Sequence, residues 1–209
     1  MPEYQIPKTP SAYEFPLLIR HLLSRLSAQH TEQQIVYGDQ RRFSYGEFFE
    51  RVQRLANGLR SLGIGPGDTV AVMDWDSHRY LECFFAVPML GAVLHTINIR
   101  LAPEQILYTI NHARDTALLV HDDFVPLLEG FKGNAPTVRR IVRLSDQQRE
   151  VGSGPNQVVF DDEYENLLSS APGQFDAPDF DENIRATTFY TTGTTGNPKG
   201  VYFLSLIHI

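Results

Sequence analysis

The longest periodic pattern in the chain runs from Tyr45 to Leu62. Tyr45, Phe48, Phe49, Val52, Leu55, Ala56, Leu59 and Leu62 recur every 3.6 residues with polar residues between them, which predicts an amphipathic helix. Ser44 and Glu47 have the spacing of a capping box at its start, and Gly63 stands where a C′ residue would end it. Glu47–Arg51 and Glu50–Arg54 are spaced as i,i+4 pairs on the wet face. Residues 15–29 carry Leu17, Leu18, Leu22 and Leu26 at near-helical spacing, with Pro16 suited to a first turn. Residues 35–38 and 42–44 read as a small hairpin.

Beyond Gly63, short Val-, Leu- and Ile-rich runs alternate with helical ones. Strands are predicted at 69–73, 92–96, 117–121 and 140–144. Helices are predicted at 77–90, from Pro103 through Ile106, Leu107, Ile110 and Ala113, and from a cap at Asp122 or Asp123 to about Phe131. This βαβα rhythm with apolar strands predicts an α/β fold: a largely parallel sheet covered by helices. Residues 145–156 and 171–183 read as loops flanking a weak strand at 158–160 and a short helix near 163–168. Residues 186–190 have the profile of another buried strand. No internal repeat or heptad pattern is present.

Composition narrows the function classes. With 209 residues, 42% hydrophobic and 21% charged, the chain is globular in type and long enough for one large domain or two small ones. A formal charge of −7 and the lack of a basic stripe exclude nucleic acid as a partner. Arg139, Arg140 and Arg143 alternate with Ile141 and Val142 as the solvated face of a strand would. Cys83 is the sole cysteine and lies in an apolar helical stretch, so it reads as a small core residue in a reducing, cytoplasmic setting. The first fifteen residues lack the layout of a signal peptide. The longest apolar run, 84–94, is broken by Pro88 and Gly91 and is too short to cross a bilayer, so no transmembrane segment is expected.

The chemistry concentrates in residues 190–201, YTTGTTGNPKGV. Gly193 and Gly196 allow positive φ and close backbone approach, so successive N–H groups can converge on an anion. Thr191, Thr192, Thr194 and Thr195 add neutral donors, and Lys199, between Pro198 and Gly200, adds a mobile point charge suited to phosphate. A flexible linker would not follow a buried strand or carry a single bracketed Lys. A Walker A loop fails on spacing: Lys199 follows Pro198 rather than Gly, and Gly200 stands where a Mg²⁺-binding hydroxyl belongs.

This string resembles, nearly letter for letter, the phosphate-loop signature of the acyl-adenylate-forming enzymes: acyl-CoA synthetases, luciferases and peptide-synthetase adenylation domains. Residues 85–112, FAVPMLGAVLHTINIRLAPEQILYTINH, also look like the acyl-CoA synthetases, through the Asn98-Ile99-Arg100-Leu101 turn. This block is most like synthetases acting on medium- and long-chain fatty acids. The resemblance implies AMP-forming activation of a small-molecule carboxylic acid with ATP and Mg²⁺, then thioester formation with coenzyme A. It implies that Thr191, Thr192, Gly193, Thr194, Thr195, Gly196, Pro198, Lys199 and Gly200 surround the phosphates, with Thr191 as a Mg²⁺ contact. His95 and Asn98 are candidates for facing an acyl pocket. His112 and His121 read as surface or satisfied core groups, since no histidine has metal-ligand spacing.

The resemblance covers residues 15–201. The family's later motifs, which hold adenine and ribose, and its small C-terminal domain with the catalytic lysine have no counterpart here. Residues 1–203 are therefore expected to be an incomplete N-terminal adenylate-forming domain, and 204–209 a non-native tail. The expected activity belongs to a longer parent, in which homo-oligomers are compatible with the family. The alternative is a non-catalytic nucleotide-binding fragment or an interaction remnant.

Overall fold

The computed structural model describes residues 9–29, 31–39, 41–131, 133–146, 158–192 and 196–208. Helix α1 (Arg20–Gln29) is followed by strands β1 (Gln34–Tyr37) and β2 (Arg41–Ser44), which pair as an antiparallel hairpin. α1 begins later than the leucine spacing predicts. The N–H groups of Leu17 and Ile19 instead donate to Glu182 (3.0 Å) and Ser205 (3.3 Å), which withdraws them from the helix.

Helix α2 (Tyr45–Ser61) has both of its expected ends. Ser44 Oγ accepts from the Glu47 N–H at 3.2 Å, and Glu47 Oε2 accepts from the Ser44 N–H at 2.7 Å. Gly63 takes φ +80°, while the N–H groups of Gly63 and Ile64 donate to the carbonyls of Arg60 and Leu59, a Schellman ending. Glu50–Arg54 forms at 2.7 Å. Glu47–Arg51 does not: Glu47 is held by the cap, and Arg51 turns inward to Glu82 and Glu165.

The remaining elements are β3 (Thr69–Met73), α3 (His78–Met89), β4 (Val93–Thr96), α4 (Pro103–Ala113), β5 (Ala117–His121), α5 (Val125–Gly130), β6 (Arg140–Leu144), β7 (Asp162–Glu163), α6 (Tyr164–Ser170), β8 (Arg185–Thr191) and β9 (Lys199–Leu204). They build a seven-stranded sheet in the order β7-β6-β5-β3-β4-β8-β9, parallel except for the antiparallel β8/β9 pair. On one face Val52, Leu55, Cys83, Val87 and Leu167 from α2, α3 and α6 pack over Val70, Val72 and Leu119. On the other, Ile106, Ile110 and Leu128 from α4 and α5 pack over Ala71, Met73 and Leu118. The largely parallel, helix-covered α/β sheet is as the rhythm predicts.

Three local expectations give way. The turn before α5 is capped by the His121 side chain, which accepts from the Asp123 N–H at 3.3 Å; the adjacent aspartates do not cap it. The strand expected at 158–160 lies instead at Asp162–Glu163, where two polar residues pair with Val142 and Arg143 through the backbone. Arg139, Arg140 and Arg143 are not merely solvated, because each pairs with an aspartate: Asp68, Asp161 and Asp122.

The topology fixes where a ligand can sit. β3 leads to β4 through α3 on one face, and β4 then leads back across β3 to β5 through α4 on the other. Such a reversal opens a crevice at the carboxyl ends of the strands.

Candidate functional site

The candidate phosphate loop closes the β8/β9 hairpin. Ala186, Thr187 and Tyr190 are the buried positions of β8, and the chain becomes exposed at Thr191 and Thr192. The register pairs Tyr190 with Gly200 and Thr191 with Lys199, so the loop enters and leaves at one point. Gly196 has φ +93°, a conformation costly for any residue with a Cβ, although nothing lies within 4 Å of where that Cβ would be. Pro198 is buried, while Gly196, Lys199 and Gly200 are exposed. Gly193, Thr194 and Thr195 lie outside the described residues.

Among the described residues no carboxylate pairs with Lys199, which leaves its charge available to an anion. Thr191 Oγ1 lies 3.5 Å from the Lys199 carbonyl, at the limit of a hydrogen bond, so its exposed oxygen is only weakly engaged. Among the described residues no group of three His, Cys, Asp or Glu could hold a metal ion.

Beneath the loop lies a polar floor that the sequence does not advertise. His95 Nδ1 is hydrogen-bonded to Asp115 Oδ2 at 2.8 Å, and both side chains are buried. Burial pushes the Asp115 carboxyl up to about 6 even though His95 acts to lower it. The Tyr190 hydroxyl lies 2.7 Å from His112 Nδ1. His95 is therefore engaged inside the fold: its β4 position turns it toward α4, where Asp115 follows the helix. His112 is a satisfied group, as expected, and its partner is the first residue of the loop motif. Tyr190 and His112 lie 78 positions apart, so no local spacing could link them.

The crevice at the carboxyl ends of β3 and β4 is a cavity of about 600 Å³ lined by Asp74, Trp75, Asp76, Tyr80, Asn98 and Arg100, among others. The parallel register sets Thr96 beside Phe189, so this cavity and the loop leave the sheet at the same end. Asn98 reaches it, its Oδ1 accepting from the Arg100 N–H at 3.1 Å.

The sequence profile of the AMP-binding enzyme family matches residues 23–204. The chain belongs to that family. AMP-binding enzymes similar to it include a 3-methylmercaptopropionyl-CoA ligase of Ruegeria pomeroyi, 36% identical over 90% of this chain and 35% of the relative. A long-chain-fatty-acid–CoA ligase of Thermus thermophilus is 40% identical over 79% of this chain and 28% of its own length. A medium-chain-fatty-acid–CoA ligase of Ectopseudomonas oleovorans is 35% identical over 90% of this chain and 34% of its own. The chain thus spans about a third of the length of these relatives. Among solved structures, an anthranilate CoA ligase in complex with anthranoyl-AMP superposes with TM-score 0.80 at 25% identity, over 92% of this chain and 36% of that one. A Mycobacterium tuberculosis fatty acyl CoA synthetase shares the fold at TM-score 0.75 and 21% identity, covering 90% of this chain and 34% of that one. Among the described residues no helix is long and apolar enough to cross a membrane.

Proposed function

We propose that this chain is the phosphate-handling part of an AMP-forming acid–thiol ligase acting on a carboxylic acid with an aliphatic chain. In the first step a carboxylate oxygen bonds to the α-phosphorus of ATP, and pyrophosphate leaves with the electrons of the broken P–O bond. In the second, the sulfur of coenzyme A bonds to the acyl carbon, the thiol proton is released, and AMP departs. A carboxylate is already ionised at neutral pH, so the first step needs no general base. Its demands are positioning and charge neutralisation around the phosphates.

In this reading Lys199 neutralises charge on the β- and γ-phosphates. Thr191, Thr192, Thr194 and Thr195 donate from their hydroxyls, and Gly193, Gly196 and Gly200 let the backbone approach, with Pro198 stiffening the return. Mg²⁺, when bound, would screen the negative charge of the phosphates, and Thr191 is the residue of this chain that would contact it. Coenzyme A and the acid are assigned to the same end of the sheet, where the cavity beside Asn98 opens. The observation that carries this reading is the hairpin turn flanked by exposed Thr191, Thr192 and Gly196, with positive φ at Gly196 and a Lys199 at its return that pairs with no carboxylate among the described residues.

The test is titration of the chain with magnesium pyrophosphate and with ATP, alongside Lys199→Ala. Lys199 is exposed and makes little packing, so the variant is expected to keep the wild-type melting temperature and to bind at least tenfold more weakly. Equal affinity of the two proteins would remove Lys199 from the reading.

A further inference from the structure

We infer that Tyr190 is a positioning residue for the phosphate loop, held by His112 on α4 and by a close approach over Gly200. The inference rests on the phosphate-loop reading and assigns work to residues outside the loop's own donors. Tyr190 is the last buried side chain before Thr191 and Thr192, and only 8% of it is exposed. Its cross-strand partner is Gly200, next to Lys199.

A Cβ built on Gly200 would meet the Tyr190 ring at 3.3 Å and its hydroxyl oxygen at 3.5 Å. Gly200 does not have the positive φ of Gly196, so its backbone conformation alone does not call for glycine. The missing side chain instead lets the ring lie across β9 and reach α4. Gly200 then supports the loop through Tyr190, in addition to letting the backbone approach phosphate.

The far end of the ring is fixed as firmly. The hydroxyl meets His112 Nδ1 at 2.7 Å, and the two rings stand edge to face at 86°. His112 is itself stacked on Tyr108, one turn earlier in α4, with centroids 5.4 Å apart. From below, His95 packs 5.2 Å from the Tyr190 ring, and its bond to buried Asp115 holds its own ring in place. Burial pushes the Tyr190 hydroxyl up to about 12, so it stays protonated and bonded across the neutral range. Both ends of the loop are therefore tied to α4 through one side chain.

The test compares the wild-type chain with Tyr190→Phe, His112→Ala, the double variant and Gly200→Ala. Two quantities are read: backbone amide chemical shifts of Thr191, Thr192 and Gly196 without ligand, and affinity for magnesium pyrophosphate. Tyr190→Phe keeps the ring and removes only the hydroxyl, so a folded protein is expected. Each of the first two variants should displace the same loop amides and weaken pyrophosphate binding about three- to tenfold, the range one net hydrogen bond supports. The double variant should be no worse than His112→Ala alone, because that variant already lacks the bond to the Tyr190 hydroxyl. Gly200→Ala should displace the same amides.

Unmoved loop amides in Tyr190→Phe and His112→Ala would overturn the inference, as would independent, additive effects of the two substitutions. If the wild-type chain binds no pyrophosphate while the variants still displace the loop amides together, the positioning role stands and the phosphate reading falls.

Discussion

Gly196 and Asp115 show how differently single residues announce themselves. Gly196 sits among threonines in a motif that needs a left-handed residue, and its φ of +93° meets that need. Gly196→Val is therefore expected to be worse than Thr192→Val. The first forces a β-branched residue into a region costing roughly 1–3 kcal/mol, whereas the second removes one exposed hydroxyl among several. Melting temperature and pyrophosphate affinity of the two variants check the ranking, and equal losses would contradict it. Asp115 gives no such signal, because its partner His95 is 20 positions away on another element. Its carboxyl is raised from 3.8 to about 6 by burial, so the folded state holds a proton that the unfolded state releases. The stability this confers is complete below about pH 4 and is lost as pH rises through about 6. Asp115→Asn removes the titration. Wild type should therefore lose up to ~3 kcal/mol relative to the variant between pH 4 and 6, on a scale of about 1.4 kcal/mol per unit. Parallel urea-unfolding curves at pH 4, 5, 6 and 7 would show this, and a constant offset would refute it.

At the scale of elements, α2 was the most legible part of the chain because its signals are local: a 3.6-residue stripe, a cap pair three residues apart and a glycine at the end. What α2 does with its polar side could not be read in the same way. Arg51 has the spacing of a surface pair with Glu47, yet it donates to Glu82 on α3 (2.6 Å) and to Glu165 on α6 (2.8 Å). Tyr164 adds its hydroxyl to Glu82, whose side chain is fully buried. Burial acts to raise the Glu165 carboxyl, but His78 and Arg51 outweigh it and hold that carboxyl well below the usual range. Three helices are thus joined by one guanidinium, a link that depends on tertiary approach over 31 and 114 positions. The same limit explains β7, whose Asp162 and Glu163 carry no apolar alternation to mark a strand and are fixed only by the backbone of β6. Arg51→Ala strands the Glu82 charge inside the protein, and breaking a buried pair in this way typically costs about 3–5 kcal/mol. Glu50→Ala on the same helix, which removes only the exposed partner of Arg54, should cost under about 1 kcal/mol. Chemical denaturation of the two variants decides the point; comparable losses would mean that the Arg51 cluster is no tighter than a surface pair.

For the whole molecule, the order of the sheet decides what 209 residues can do by themselves. The strand rhythm was sufficient to predict a parallel α/β sheet, but not that β9 would fold back on β8 as its outermost strand. That pairing depends on the length of the loop and on register. The hairpin gives the loop its own frame: Thr191 opposite Lys199, Tyr190 opposite Gly200, and the His112 contact beneath them. Phosphate affinity is therefore expected to survive in this chain as it stands. Catalysis makes a larger demand. Adenylation requires the nucleotide base, the ribose, the α-phosphorus and the acid to be held together in line, and orientation of that kind supplies much of the rate. The described residues frame one candidate phosphate loop beside a cavity, and the chain spans about a third of the length of its ligase relatives. Among the described residues β9 is the outermost strand on its side of the sheet, and Tyr202 and Phe203 along it are 52% and 37% exposed, an edge of the kind that invites further pairing or association. The purified 209-residue chain is therefore expected to bind magnesium pyrophosphate yet to show no acid-dependent ATP–pyrophosphate exchange with fatty acids of any chain length. It should also associate at high concentration, measurable by light scattering. Exchange that requires both the acid and Lys199 would mean that the loop, the cavity and their shared sheet edge suffice for adenylation. It would overturn the division of labour between holding phosphate and aligning the reaction.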